Sequence, residues 1–184
     1  MTSIQAGDIL PEVSFDFLPS TEGDACVYLP IKITNEKIQS PSVIVVVPGA
    51  FTPTCSEKHI PAYLTTSAIE LLKKSGVKNL YILSVESPFI TRAWGEQLIK
   101  DKPEVAKYIY DGYIKFISDA GARFLSTVGL VGEPTDLYAK NGLRGLRSAI
   151  IVGNGGKIEY VGVDRTRGTV VDSGIDAVLS ALNK

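Results

Sequence analysis

The run Val43-Ile44-Val45-Val46-Val47 constrains this chain more than any other feature, because five apolar β-branched residues in succession, stopped by Pro48-Gly49, read as a buried strand. The next residues, Ala50-Phe51-Thr52-Pro53-Thr54-Cys55, read as a turn into a helix. Thr52 is placed as N-cap, Pro53 at the first helical position, and Cys55 in the first turn, where backbone N–H groups still lack partners. Those amides and the positive end of the helix dipole favour thiolate over thiol. Cys55 is therefore the candidate nucleophile.

The rest of the chain supplies the layers around that strand. Ile60, Tyr63, Leu64, Ile69, Leu71 and Leu72 mark a helical face, closed by Lys73-Lys74 and Gly76 and kinked at Pro61. A second buried strand is expected over 80–85, then Ser87-Pro88 and a helix through Ala93, Trp94 and Leu98. Residues 99–113 are polar with scattered tyrosines and read as an excursion. A short strand over 114–118 and a helix over 120–128, capped by Asp119 and ended by Gly129, come next. Strands over 148–152 and 157–163 flank Asn154-Gly155-Gly156, a hairpin signal. Asp172 or Ser173 caps a terminal helix with Ile175, Val178, Leu179 and Leu182 on its apolar face. Residues 1–42 suit short strands or hairpins. This order describes an α/β chain with a thioredoxin-like fold, a central mixed β-sheet flanked by helices, better than a barrel or a doubly wound sheet.

At 184 residues and 45% hydrophobic content the chain fits one domain over residues 1–184. With 19 basic against 20 acidic residues and no basic block, it carries no signature of nucleic-acid or membrane-surface binding. Its longest apolar stretch falls well short of the roughly 20 residues that span a bilayer, and neither end reads as a targeting signal, so the expected address is the cytosol. Cys26 and Cys55 are too few for a secreted disulfide scaffold and are not spaced as Cys-x-x-Cys. With a single histidine, a zinc site would have to recruit carboxylates, so neither metal nor bound cofactor is expected.

Pro48-Gly49-Ala50-Phe51-Thr52-Pro53-Thr54-Cys55, with Ser56, His59-Ile60-Pro61 and Tyr63, closely resembles the active-site segment of the peroxiredoxin 5 family of thioredoxin-fold peroxidases. Ala93-Trp94-Gly95, Ser118-Asp119 with Phe124 and Gly129, and Arg147 before 148–152 extend the resemblance over roughly residues 43–182. It implies that Cys55 is a peroxidatic cysteine whose thiolate attacks a hydroperoxide and becomes a sulfenic acid. It further implies that Arg147 brings a permanent cation to the sulfur, that Thr52 orients the peroxide, that Pro48 shields the sulfenic acid, and that the Thr54 and Cys55 amides complete the donor set.

The stretch Gly168-Thr169-Val170-Val171-Asp172-Ser173 departs from family members that carry a second cysteine there. The segment around Cys26 is instead similar to the N-terminal cysteine segment of fungal-type alkyl hydroperoxide reductases of this family. That similarity implies a homodimer in which Cys26 resolves Cys55 across subunits and thioredoxin reduces the disulfide. Two rivals stay open: a one-cysteine peroxidase recycled by glutathione or glutaredoxin, and a redox relay that passes oxidation to client proteins. Arg144, the rival of Arg147 for the place at the sulfur, and Arg123 read otherwise as solvated cations. His59 reads as a structural hydrogen-bonder rather than half of a Cys-His dyad. Trp94, Phe51, Phe116 and Phe124 read as core or dimer contacts.

Overall fold

The computed structural model describes residues 3–22, 29–132 and 142–184. One seven-stranded sheet, in the order β2-β1-β5-β4-β3-β6-β7, organises the chain. Its strands are β1 (Ser14–Phe17), β2 (Ile31–Thr34), β3 (Ser42–Val46), β4 (Asn79–Ser84), β5 (Ile114–Ser118), β6 (Arg147–Val152) and β7 (Ile158–Asp164). β3, β4 and β5 run parallel, and the remaining pairs are antiparallel, so the sheet is mixed as the sequence implied. The continuous run in β3 is explained by two buried faces. Val43, Val45 and Val47 enter one core and Ile44 and Val46 the other, because successive strand residues point to opposite sides.

The first core is roofed by helices. α1 (Ile60–Tyr63) supplies Ile60 and Tyr63, α2 (Thr66–Lys74) Ile69 and Leu72, α3 (Pro88–Ile99) Trp94 and Ile99, α4 (Pro103–Tyr110) Val105 and Ile109, and α6 (Ile175–Leu182) Val178. The second is covered by α5 (Arg123–Thr127) and the N-terminal residues Ile4, Leu10 and Val13. Trp94 and Phe116 meet edge to face within the first core, and Phe15 and Phe124 within the second.

Several expectations are corrected. The 99–113 excursion holds a helix, α4, started by Pro103 and buried along Val105, Tyr108 and Ile109, an i, i+3, i+4 stripe that the tyrosines had disguised as polar. The single kinked helix after Cys55 is two helices. They break at Leu64, and the Thr65 hydroxyl caps the second by accepting from Ala68 N at 3.2 Å. Leu71 is exposed, not core. The helix after Asp119 is shorter than expected and its N-cap is Ala122, not Asp119, but the Asp119 carboxylate still serves its first turn, accepting from Phe124 N at 3.2 Å and Leu125 N at 2.9 Å. Asp172 and Ser173 do not cap α6, whose N-cap is Gly174, because Ser173 is occupied at the site described next.

Candidate active site

The site lies beyond the end of β3, where the antiparallel partner β6 begins. Register pairs Val46 with Ser148, so Arg147 arrives beside the turn that leaves the strand. Gly145 permits the approach: a Cβ there would lie 2.7 Å from Val46 Cγ1 and 3.0 Å from Leu125 Cδ1. The backbone around it is tied by Leu146 N donating to Leu130 O and Gly132 N to Arg144 O, each at 2.8 Å.

On the other side, the helix starts as the sequence suggests, with Ser56 N donating to the Thr52 carbonyl at 2.9 Å. Cys55–His59 then forms a π-helical turn, closed by Ile60 N donating to Cys55 O. Pro61, which has no N–H to offer the preceding turn, accounts for the wider winding just before it, so the expected kink takes this form. Thr52 contributes its carbonyl to the helix start, while its hydroxyl donates to Gly49 O at 2.8 Å. The hydroxyl proton is thereby used within the turn, and its lone pairs can accept from a bound group. Phe51 sits at φ 59° and is exposed, not core.

Cys55 and His59 are fully buried, one helical turn apart on the same face. Arg147, itself buried, donates from Nη1 to Cys55 Sγ at 3.5 Å and to His59 Nδ1 at 3.0 Å. A guanidinium is always a donor, so Nδ1 accepts and the proton of the imidazole is on Nε2. From there it donates to Ser173 O at 2.9 Å, with Ser173 Oγ at 3.1 Å. Tyr63 Oη also donates to Ser173 O, at 2.7 Å. Ser173 Oγ donates to Asp164 Oδ2 at 2.6 Å, and that carboxylate accepts further from the amides of Val171, Asp172 and Ser173. Asp164 is also the cross-strand partner of Arg147 between β6 and β7.

The electrostatics follow from this chain of contacts. Burial above all, and then the Arg147 charge, pull His59 down to about 4 against the raising effect of its Ser173 bond, so the ring is neutral at ordinary pH. Burial pushes Asp164 up, but the hydrogen bonds from Ser173, Val171 and Asp172 outweigh it and hold the carboxyl below its usual value. Burial holds Tyr63 far above the usual phenol range. The result is a cation fixed against a sulfur by a neutral acceptor, whose orientation is set by a loop strapped to β7.

The structure thus brings Arg147 to Cys55, and in the turn that leads to the cysteine it ties Thr52 to Gly49, next to the half-buried Pro48. Cys26 lies outside the described residues. Arg144 is not a solvated cation: it pairs with Glu86, the side chains being 23% and 15% exposed. Arg123 is exposed, as expected. His59 is a structural hydrogen-bonder, but one that holds the key cation, which its position four residues after Cys55 could have suggested. The roles of Ser173 and Asp164 have no local signal in the sequence. Trp94 is core, yet its Nε1 also donates to Ser56 Oγ at 3.0 Å, next to the reactive cysteine.

Residues 5–179 match the Redoxin family model. Over 187 residues, 99% of this chain and 96% of the relative, the chain is 35% identical to Peroxiredoxin AHP1 of Chaetomium thermophilum. It is 39% identical over 159 residues, 86% of each chain, to a Lipomyces kononenkoae protein whose name makes it a peroxisomal peroxiredoxin. A solved structure of reduced Prx3 from Vibrio vulnificus in complex with hydrogen peroxide superposes with a TM-score of 0.76 at 29% identity, covering 97% of this chain and 99% of that one.

Proposed function

The chain belongs to the redoxin family and, within it, to the peroxiredoxins, and we propose from that premise that its thiol peroxidase chemistry runs on Cys55, Arg147, Thr52 and Pro48 with Cys26 as resolving partner. The observation that carries the reading is the Arg147 guanidinium 3.5 Å from a buried sulfur at the start of a helix. Its permanent charge stabilises the thiolate and the negative charge that develops on the leaving oxygen. The thiolate attacks the terminal oxygen of a hydroperoxide. An S–O bond forms as the O–O bond breaks, the leaving oxygen takes a proton, and Cys55 becomes a sulfenic acid. Thr52 Oγ, its own proton engaged by Gly49 O, accepts from the peroxide O–H and orients it. First-turn amides of Thr54 and Cys55 add donors, and Pro48 limits water at the oxidised sulfur.

Turnover needs a reductant. In this reading Cys26 attacks the sulfenic acid, releases water, and leaves a disulfide that thioredoxin reduces. Cα atoms must come within about 7 Å for the bridge to close, and a sulfur as buried as Cys55 has to move outward first. A homodimer is the setting: Phe51 and Leu143, on connections near the site, and Phe89, in the first turn of α3, are all exposed. Among the described residues no helix is long and apolar enough to cross a membrane. The cytosol is the proposed compartment, and fractionation against a peroxisomal marker decides it.

Stopped-flow mixing of the reduced protein with hydrogen peroxide, followed by the fluorescence of Trp94, tests the peroxidatic step, because the only tryptophan is bonded to the residue after Cys55. A fast phase absent in Cys55→Ser is expected, and its absence in the parent protein sinks the reading. Non-reducing electrophoresis after one equivalent of peroxide tests resolution. A dimer-sized band lost in Cys26→Ser is expected, whereas an unshifted monomer would assign recycling to an external thiol such as glutathione.

A further inference from the structure

The Glu86–Arg144 ion pair makes no contact with the sulfur, yet it is built against the turn that serves it. Arg144 Nη1 donates to Glu86 Oε1. Gly49 lies against both: a Cβ at that position would be 3.1 Å from Glu86 Oε1, 3.6 Å from Arg144 Nη1, and 3.1 Å from Thr52 Cγ2. The pair and the Thr52 methyl therefore crowd the same space beside Gly49, where any Cβ would have to sit, while the Thr52 hydroxyl is bonded to the Gly49 carbonyl. Glu86 is anchored to the sheet through its backbone, its carbonyl accepting from Ser118 Oγ of β5 at 2.6 Å, and the Arg144 carbonyl accepts from Gly132 N at 2.8 Å. The pair also borders a cavity of about 320 Å³, lined further by Val85, Gly121, Ala122 and Leu143. Packing on the cavity side would not hold Glu86 in place if its bond to Arg144 were cut. Among the described residues, Glu86 Oε2 and Arg144 Nε are buried without a hydrogen-bond partner, which weighs against the pair as a source of stability in its own right.

We propose that Glu86 and Arg144 are positioning residues for the peroxide step: their ion pair clamps Gly49 and so fixes the Thr52 hydroxyl that orients the hydroperoxide. This rests on the peroxidase reading above. The two arginines, three residues apart on one sheet-tethered segment, divide the work. Arg147 serves the charge on sulfur, and Arg144 serves the geometry of the incoming oxygen.

The test compares two reactions of the same thiolate in the full-length protein. Alkylation by iodoacetamide needs an ionised sulfur and no oriented peroxide, whereas oxidation by hydrogen peroxide needs both. Glu86→Gln, which keeps shape and removes charge, is expected to slow peroxide oxidation roughly tenfold while leaving alkylation unchanged. Arg144→Lys, which keeps charge and loses the planar fork, should fall between parent and Glu86→Gln. The double exchange Glu86→Arg with Arg144→Glu should recover part of the peroxide rate lost in either single exchange. Peroxide rates of both Glu86→Gln and Arg144→Lys within twofold of the parent overturn the proposal. So does a parallel loss of alkylation and oxidation, or of the folded circular-dichroism spectrum, which would make the pair merely structural. A parent that fails to react with peroxide rejects the peroxidase reading itself, which separates the two failures.

Discussion

His59 Nδ1 accepts a hydrogen bond from Arg147 Nη1 at 3.0 Å, so the single histidine of this protein holds a guanidinium in place instead of taking protons from the thiol. The ring can do this only while neutral, because an imidazolium has no lone pair to offer and would repel Arg147.

That requirement gives an acid limit. His59 in the folded protein sits at about 4 against an ordinary 6.5, so the unfolded chain binds the extra proton and folding favours the neutral ring. The contribution, at most about 3 kcal/mol, is complete above the unfolded value and is lost as pH falls from there through about 4. Urea unfolding at a series of pH values should show stability declining across that window. His59→Gln, whose side-chain oxygen can accept from Arg147 without titrating, should flatten the decline. An equally steep acid limb in His59→Gln would remove His59 from the account.

Arg147→Ala should slow oxidation by hydrogen peroxide about a hundredfold or more, by analogy with the loss of other preorganised donors to developing charge. Iodoacetamide reactivity should fall with it, unlike the pattern expected at Glu86. An unchanged second-order rate would mean that a different cation serves the sulfur.

Thr52→Val removes both the bond to Gly49 O and the acceptor offered to peroxide, whereas Thr52→Ser keeps them. Single-turnover oxidation should therefore drop at least about tenfold in the valine variant and stay within a few-fold of the parent in the serine variant. A loss in the serine variant as large as in the valine variant would show that the hydroxyl does not account for the role of Thr52.

Gly145→Ala places a methyl 2.7 Å from Val46 Cγ1 in a filled core. Overpacking of this kind costs about 1–3 kcal/mol, read as a lower urea midpoint. Because the same segment delivers Arg147, peroxide reactivity should fall as well. A variant as stable and as fast as the parent would show that the β3–β6 approach can relax.

Much of this site was legible before any coordinates. The strand 43–47, the turn through Pro48 and Gly49, and Cys55 at a helix start all follow from preferences that act within a few residues. Helix α4 is hidden in the sequence because tyrosines carry a hydroxyl on an apolar ring, and here Tyr108 is buried, while the cap of α6 is not the residue its sequence offers because Ser173 bonds to Asp164 instead. Arg144 was misread as solvated because nothing near it in sequence carries its partner, Glu86, 58 residues away.

By itself, then, the sequence determined a thiol at a helix N-terminus, the alternation of strands and helices, and a resemblance strong enough to name the chemistry. Only the tertiary structure decided that Cys55 is buried, that Arg147 from 92 residues away is the cation at its sulfur, and that His59, Ser173 and Asp164 hold that cation in place. The division has one physical cause: caps and turns are written in neighbouring side chains, whereas the meeting of Arg147 with Cys55 depends on the register of β6 on β3, which exists only once the sheet has closed.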